Sequence, residues 1–170
     1  MSAVVDYRTI PFNLTNVGSS GKYIGDSIYW KLFAVENLIR VLIHSVLSAQ
    51  YGTHWWKVAV DSDLSEDVIR LQRYYAKQPR RTAPGRHEIY YVYLRDLNRI
   101  ILTHIHLFRP LIADIDQLMT RIEEIRLPRN VVGHMNWLNI LDKQEIDATY
   151  SELKRIVRKY LRSGAVITIP

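Results

Sequence analysis

Apolar residues recur every three or four positions between residues 28 and 46, which is the spacing of one face of an α-helix. Asp26 or Ser27 is suited to cap the start of this helix, and Gly52 is suited to end it. The residues expected to face the core are Ile28, Leu32, Val35, Ile39, Leu42 and Val46. The pattern therefore predicts one long amphipathic helix.

The same period returns in later segments, which are separated by proline, glycine and polar residues. Helices are predicted over 65–77, after a Trp55-Trp56 pair expected in the core, and over 91–107. Pro110 suits the first turn of a fourth helix. After Pro128 a short helix is predicted from residue 129. A last helix is predicted with Asp142 as its N-terminal cap and Gly164 at its end. The inward residues of the later helices are expected to be Leu94, Leu97, Ile101, Ile105, Ile112, Ile115, Met119, Ile122, Ile125, Ile146, Tyr150, Leu153, Val157 and Tyr160.

The two ends of the chain lack this helical period. Residues 1–25 contain Pro11 and several glycines and serines, and they are expected to form an extended arm with a short strand over 9–12. The tail, 164–170, is rich in β-branched residues and is expected to pair with the arm. The predicted fold is all-α: an up-and-down bundle of four to five helices over 26–163, with an extended arm before it and a β-prone tail after it.

Composition narrows the class of protein. The chain has 170 residues, 48% of them hydrophobic, which is enough for a folded core, and it has no cysteine. A disulfide scaffold, a thiolate zinc site and a cysteine nucleophile are therefore excluded. With no apolar run near the roughly 20 residues of a membrane span and no signal-peptide pattern, a cytoplasmic protein without a membrane partner is expected.

Charge adds an expected partner. The net charge is +6, and 16 of the 23 cationic residues are arginine, whose planar fork suits phosphate groups. This balance is moderate, and it is compatible with nucleic acid binding without requiring it.

The segment from Arg129 to His134 contains the side chains of this sequence that are best suited to form a catalytic site. It places a guanidinium, the Asn130 amide and an imidazole together, at a helix restart between Pro128 and Gly133. A guanidinium can grip a phosphate and offset the charge of a transition state, and an imidazole can move protons near neutral pH. Arginine and histidine at this spacing also arise by chance, so a helix cap on a basic surface is the alternative interpretation.

This segment resembles the motif of the HEPN superfamily of small helical domains, in which an arginine and a polar residue are followed by a histidine at the start of the last helical section. The long first helix with Glu36 and Arg40, the Tyr51-Gly52 end and the Tyr90–Leu97 segment resemble the same superfamily. The similarity covers about residues 28–161, and it is closest to the branch found in bacterial defence and RNA surveillance.

The resemblance implies a metal-independent endoribonuclease without a cofactor, whose site forms between two copies of the chain. It implies that Arg129 holds the scissile phosphate, that Asn130 orients it or the histidine, and that His134 is general acid or base while the ribose 2′-hydroxyl attacks. The products would be a 2′,3′-cyclic phosphate and a 5′-hydroxyl. An antitoxin or defence-system protein is the expected protein partner. Asn136 replaces a tyrosine that many toxin members have, so regulation through that tyrosine is not expected.

Two further groups of residues have competing interpretations. Glu36 and Arg40 are either an i,i+4 ion pair on a solvated face or a support for the motif from beneath. The segment 77–87 is either a solvated loop or an RNA clamp, and beside it Tyr90, Tyr91 and Tyr93 either pack in the core or stack on bases. The cations of the loop are Lys77, Arg80, Arg81 and Arg86.

Metal ligation is not expected, because no metal-binding spacing of histidines or acids is present. The alternative function is a non-catalytic helical module for dimerisation, partner binding or nucleotide binding.

Overall fold

A computed structural model describes residues 6–170. A 3₁₀ turn at Tyr7–Thr9 precedes the helices, a π-helical turn at Gly25–Tyr29 joins the first two, and a second 3₁₀ turn lies at Glu88–Tyr91. The helices are α1 (Leu14–Ile24), α2 (Trp30–Tyr51), α3 (Trp55–Ala59), α4 (Ser62–Ala76), α5 (Leu94–Thr103), α6 (Ile105–Phe108), α7 (Ile115–Glu124), α8 (Arg126–Gly133) and α9 (Ile140–Arg162). Within the described range there is no strand, which confirms the all-α class.

Helix α2 is the central element of the bundle. It packs along α9 and also contacts α3 and α5, while α7 lies against α5 and α9 and leads into α8. All six residues predicted to form the inward face are buried: five of them lie on α2, and Ile28 lies in the π-helical turn before it. The helix ends at Gly52, as predicted, and the φ of +78° at this residue is one that a side chain with a Cβ rarely adopts.

The predicted extended arm is wrong over residues 14–25, which are helical, whereas residues 1–5 lie outside the described range. No strand forms over 9–12. Instead, the Asn13 side chain accepts a hydrogen bond from the Thr15 N–H at 2.8 Å and starts α1. Because Gly25 keeps helical angles (φ −57°, ψ −53°), the chain passes through the π-helical turn into α2 without a break.

Several helices begin or end at residues other than those predicted. The Asp61 carboxylate caps α4 and the Asn139 side chain caps α9, so each of these helices begins three residues earlier than predicted. The fourth helix begins only after Asp114, not at Pro110. The predicted helix over 91–107 is divided at His104, whose Nε2 lies 2.7 Å from the Ala59 carbonyl oxygen.

The C-terminal tail lies along α2 rather than pairing with the arm. The Thr168 N–H donates to the Ser45 hydroxyl at 3.0 Å, and the Tyr90 hydroxyl donates to the Pro170 carbonyl at 3.3 Å. Side chains of the bundle thus bind backbone groups of Thr168 and Pro170, and the tail forms no strand pairing with the described part of the arm, residues 6–25.

The continuous helical stretch Leu14–Tyr51 is long and apolar enough to cross a membrane, although no such run was expected from the sequence. Half of its most apolar window is buried inside the bundle. A core helix of a soluble protein has the same length and composition, so this property is weak support for a membrane location.

Candidate functional site

Helix α8 presents the predicted motif on a short rigid element. It begins at Arg126, three residues before the predicted restart, and Pro128 lies in its first turn, where a missing N–H costs nothing. Arg129 and Asn130 lie on the helix, and His134 is the first residue after it. The His134 N–H donates to the Asn130 carbonyl at 2.9 Å, which fixes the backbone between these two residues.

The Arg129 guanidinium is anchored to the centre of the bundle by Glu36 on α2. Arg129 Nη2 lies 3.5 Å from Glu36 Oε1, and Arg40 Nη2 lies 3.9 Å from the same oxygen. The side chains of Glu36 and Arg40 are only 16% and 11% exposed, so they do not lie on a solvated face. One carboxylate therefore lies between two guanidinium groups, next to the motif.

Arg40 also holds the segment that leads into α5. Its guanidinium donates to the Ile89 carbonyl at 3.2 Å and to the Val92 carbonyl at 3.3 Å. Burial lowers the pKa of Arg40, the Glu36 carboxylate raises it, and the like charge of Arg129 lowers it. The ion pair of α2 thus connects α8 to the segment before α5, a connection that the sequence does not reveal.

Arg129 and Glu36 form the polar end of a groove of about 500 Å³ between the first two helices and α8. The groove walls are otherwise apolar, and Tyr29, Phe33 and Met135 on them are 58%, 61% and 83% exposed. Gly133 also lines the groove, and Arg129 Nη1 lies 3.9 Å from the position that a Cβ on Gly133 would take. The guanidinium therefore lies against the residue that precedes His134.

His134 and Asn130 are both exposed. In the described part of the chain, neither side chain has a hydrogen-bond partner, and the His134 carbonyl accepts from Asn136 Nδ2 at 3.2 Å. Met135, next to His134, has a φ of +59°, which turns the chain sharply away from α8. The structure therefore leaves the imidazole and the amide open to a ligand.

A second cavity, of about 270 Å³, lies on the other side of Arg129. Arg129 and Asn130 line it together with Tyr93, Arg95 and Arg126. Sequence reasoning did not assign these last two arginines to the site, although the short spacing between Arg126 and Arg129 places them about one turn apart on a helix.

The loop cations Lys77, Arg80, Arg81 and Arg86 are exposed, as expected for either interpretation of that loop. None of them lines either cavity beside Arg129, and none lies within 4 Å of an acidic group in the described residues. Lys77 ends α4, and the rest follow on the segment between α4 and the second 3₁₀ turn.

Across residues 6–170, no three His, Asp or Glu side chains come close enough together to hold a metal ion. No family model, curated protein or solved structure matches the chain. The HEPN resemblance therefore stays a prediction from the motif and its place among the helices.

Proposed function

We propose that this protein is a metal-independent endoribonuclease that cleaves RNA through attack of the ribose 2′-hydroxyl. The observation that supports this proposal best is the anchoring of Arg129 by Glu36 at the boundary of two cavities. Asn130 lies beside it and the exposed His134 follows on the same short element. These are the groups that the HEPN resemblance implies for such a site.

Arg129 binds the scissile phosphate in this proposal. Its contact with Glu36 uses Nη2, so Nε and Nη1 have no hydrogen-bond partner within the described residues and can donate to phosphate oxygens. The ion pair holds the guanidinium in place before the substrate arrives, so less conformational freedom is lost when charge builds on the phosphorane.

The reaction forms the bond from O2′ to phosphorus and breaks the bond from phosphorus to O5′. One proton leaves the 2′-hydroxyl and another reaches the departing 5′-oxygen, which leaves a 2′,3′-cyclic phosphate and a 5′-hydroxyl. His134 acts as the base or the acid, and Asn130 orients the phosphate or the imidazole. A DNA strand lacks the nucleophile and stays intact.

The two proton transfers favour a site made by two chains. No residue lining the cavities on either side of Arg129 is a histidine, so one chain offers only the nearby His134. The apolar groove with exposed Tyr29 and Phe33 gives a surface through which a second copy brings its own His134 close. A homodimer with a composite site follows from this proposal.

The biological setting is proposed from the resemblance. It points to a cytoplasmic enzyme of a toxin–antitoxin, stress-response or phage-defence system, with RNA as substrate. The protein partner in such a system is an antitoxin or another defence protein, and no metal or other cofactor takes part.

The experiment that tests the proposal compares RNA with DNA of the same sequence in the presence of EDTA. Cleavage of RNA alone is expected. Arg129→Lys keeps the charge but loses the paired N–H donors of the guanidinium, so the rate of cleavage should fall about 100-fold. Arg109→Lys, at an exposed arginine that lines neither cavity, is the matched control and should cleave normally. Failure of a pure dimer to cut any RNA, or loss of activity only in the control, contradicts the proposal.

A non-catalytic module for dimerisation, partner binding or nucleotide binding is the second candidate. The mainly apolar groove, with Tyr29, Phe33 and Met135 exposed, favours it, because such patches bind other molecules as readily as they frame a catalytic site. The same comparison separates the two candidates, since a module of this kind cuts neither nucleic acid.

A further inference from the structure

The cavity of about 270 Å³ beside Arg129 adjoins another cavity. It shares Tyr93 and Arg95 with a neighbouring cavity of about 420 Å³, which reaches Tyr74 on α4. The two cavities therefore adjoin at Tyr93 and Arg95, and together they mark a path from α8, across the start of α5, to the last turn of α4. We call this path the α8–α4 groove.

Tyr93 is the exposed aromatic residue at the middle of this groove. Tyr93 is 63% exposed, and its side chain makes no ring contact or hydrogen bond with the described residues. Its backbone is fixed, because its N–H donates to Asp96 Oδ2 at 3.1 Å and its carbonyl accepts from the Asp96 N–H at 2.9 Å. Arg40 holds the preceding residue, Val92, as described above. The ring is thus presented on a rigid element without a protein partner.

The neighbouring tyrosines differ from Tyr93 in this respect. The Tyr91 hydroxyl donates to the Gly85 carbonyl at 3.0 Å, and the Tyr90 hydroxyl donates to the Pro170 carbonyl. Both rings pack against the hydrophobic core. Of the three tyrosines that the sequence offered for stacking on bases, Tyr93 is the one that is free to do so.

Arginine donors line the groove on the α8 side. The Arg95 side chain is 81% exposed, and its nearest acidic atom is Asp96 Oδ1 at 3.9 Å. Arg126 makes one hydrogen bond, from Nε to Glu123 at 2.6 Å, so its terminal nitrogens keep their donors. Together with Arg129, three guanidinium groups with unused donors line the cavity of about 270 Å³.

The acidic residues of the groove are already engaged. Asp67 pairs with Arg70, and Asp96 accepts the Tyr93 N–H. The groove therefore attracts anions at its α8 end, and a planar ring lies directly beside that end. Alternation of arginine donors with an exposed aromatic ring is typical of surfaces that bind single-stranded nucleic acid.

We propose that the α8–α4 groove binds unpaired RNA, with a base stacked on Tyr93 and the flanking phosphates held by Arg95 and Arg126. This inference rests on the proposed function, because it places the adjoining phosphate at Arg129. Bases in a duplex are stacked on each other and cannot cover the ring, so the groove selects single-stranded segments. The path ends one helical turn before Lys77, which brings the loop cations to its far end.

The test measures binding without cleavage. A fluorescent single-stranded 2′-O-methyl RNA, which has no free 2′-hydroxyl, is titrated with dimeric protein, and its anisotropy is followed. Tyr93→Ala should weaken binding about 5- to 150-fold, and Tyr93→Phe should bind like the wild type, because the ring face is kept. Phe12→Ala, at an aromatic residue that is 76% exposed and lines no cavity of the groove, is the matched control.

The contribution of Arg95 is measured from the dependence of the dissociation constant on salt. Arg95→Gln should lower the slope of log Kd against log salt by about 0.7, the value for one phosphate contact on a single strand, and Arg109→Gln should leave it unchanged. A melting curve for each variant confirms folding. The proposal is overturned if Tyr93→Ala binds like the wild type, if a duplex of the same sequence competes equally, or if the oligonucleotide does not bind.

Because the probe cannot be cleaved, this experiment tests RNA binding by the groove independently of the proposed nuclease activity. Normal binding that depends on Tyr93, without any RNA cleavage by the wild type, supports the groove and contradicts the nuclease. Cleavage that is unaffected by Tyr93→Ala, with unchanged binding of the probe, supports the nuclease and contradicts the groove.

Discussion

Single residues decide how Arg129 is held. Glu36 Oε1 lies 3.5 Å from Arg129 and 3.9 Å from Arg40, so this carboxylate separates two positive charges that would otherwise repel each other. Arg40 also donates to two backbone carbonyls, which help to hold its guanidinium in place. Glu36 is therefore the residue through which α2 orders the motif on α8.

Replacing Glu36 with Gln should destabilise the fold and reduce cleavage. The substitution keeps the shape but leaves the guanidiniums of Arg129 and Arg40 without a compensating charge. The free energy of unfolding should fall by about 1 kcal/mol, a value discounted for partial exposure, and kcat should fall more than KM changes, because Arg129 is then less ordered. Urea unfolding and steady-state cleavage measure the two effects.

Asp147→Asn is the matched control for that change. Asp147 pairs with Lys31 between two helices at a more exposed position, where the side chain is 53% exposed. Its loss should change stability by less than about 0.5 kcal/mol. If Glu36→Gln is as stable and active as this control, the anchoring role of Glu36 is wrong.

At the scale of the elements, glycine has two different roles in the long N-terminal helical stretch. Gly21 lies inside α1, and apart from its chain neighbours and the backbone of its own helix no atom lies within 4 Å of the position that a Cβ would take. Gly52 ends α2 with a φ of +78°, where a Cβ is strained whatever the space around it. The same substitution should therefore have opposite effects at the two positions.

Gly21→Ala should raise the free energy of unfolding by about 0.5 to 1 kcal/mol, because alanine loses less conformational freedom in a helix. Gly52→Ala should lower it by about 1 to 3 kcal/mol. Urea unfolding of both variants gives the comparison. A loss of stability in Gly21→Ala would show that α1 is not a regular helix at that position.

A cluster of aromatic and histidine side chains joins α2, α3 and the second 3₁₀ turn. The indole of Trp55 donates to His44 Nδ1 at 3.0 Å, and the His87 ring stacks on the same indole at 5.2 Å. The Ile89 N–H donates to His87 Nδ1 at 3.1 Å. Burial lowers the pKa of both histidines, the proximity of His87 lowers that of His44 further, and Glu88 raises that of His87.

This cluster should make the fold sensitive to acid. A histidine whose pKa is lower in the folded chain than in the unfolded chain, where it is about 6.5, stabilises the fold fully above that pH. The contribution is lost as the pH falls below 6.5 and through the lowered folded pKa. Stability measured by urea unfolding should therefore decline from pH 7.5 to pH 5.

His87→Asn separates this titration from the rest of the chain. Asparagine also caps helical turns, so it can accept the Ile89 N–H, but it does not titrate. The variant should lose less stability than the wild type between the same two pH values. An equal loss in both proteins would place the acid sensitivity elsewhere.

At the scale of the whole molecule, the proposed composite site requires a dimer. Phe33, which is 61% exposed on the apolar groove, is expected at the contact between the two chains. Phe33→Asp should convert dimers to monomers in light scattering and reduce RNA cleavage at least 10-fold, because burying a charge at an interface is costly. Leu102→Asp, at an exposed leucine outside that groove, should remain dimeric. Full activity of a monomeric variant would contradict the composite site.

Local sequence patterns predicted much of the fold but not the contacts between residues that are distant in sequence. The period of the apolar residues located the buried face of α2, and Gly52 located its end, because both depend on neighbours in sequence. The arm was wrong because the cap by Asn13 outweighed the low helix propensity of the following glycines and serines. The division at His104 depends on the Ala59 carbonyl, which is 45 residues away.

In the candidate site, too, local sequence predicted the motif but not its tertiary contacts. The motif on α8 could be read from the sequence, and Glu36 was named as a support for it, although its place between Arg40 and Arg129 is a tertiary contact. The exposure of Tyr93 could not be read in this way, because Tyr90, Tyr91 and Tyr93 look alike in sequence. The distant contacts of Tyr90 and Tyr91, with Pro170 and Gly85, distinguish them from Tyr93.

The role of His134 in metal-independent cleavage is measured by comparing wild type, His134→Ala and His54→Ala on mixed tRNA and mRNA in EDTA, with chemical mapping of the new 3′ ends. His54 is the control, because it is exposed and lies outside the site. The proposed mechanism requires the wild type and His54→Ala to leave 2′,3′-cyclic phosphates and His134→Ala to lose this cleavage at least 100-fold. Undiminished cleavage by His134→Ala, or no cleavage by any of the three proteins, would contradict it.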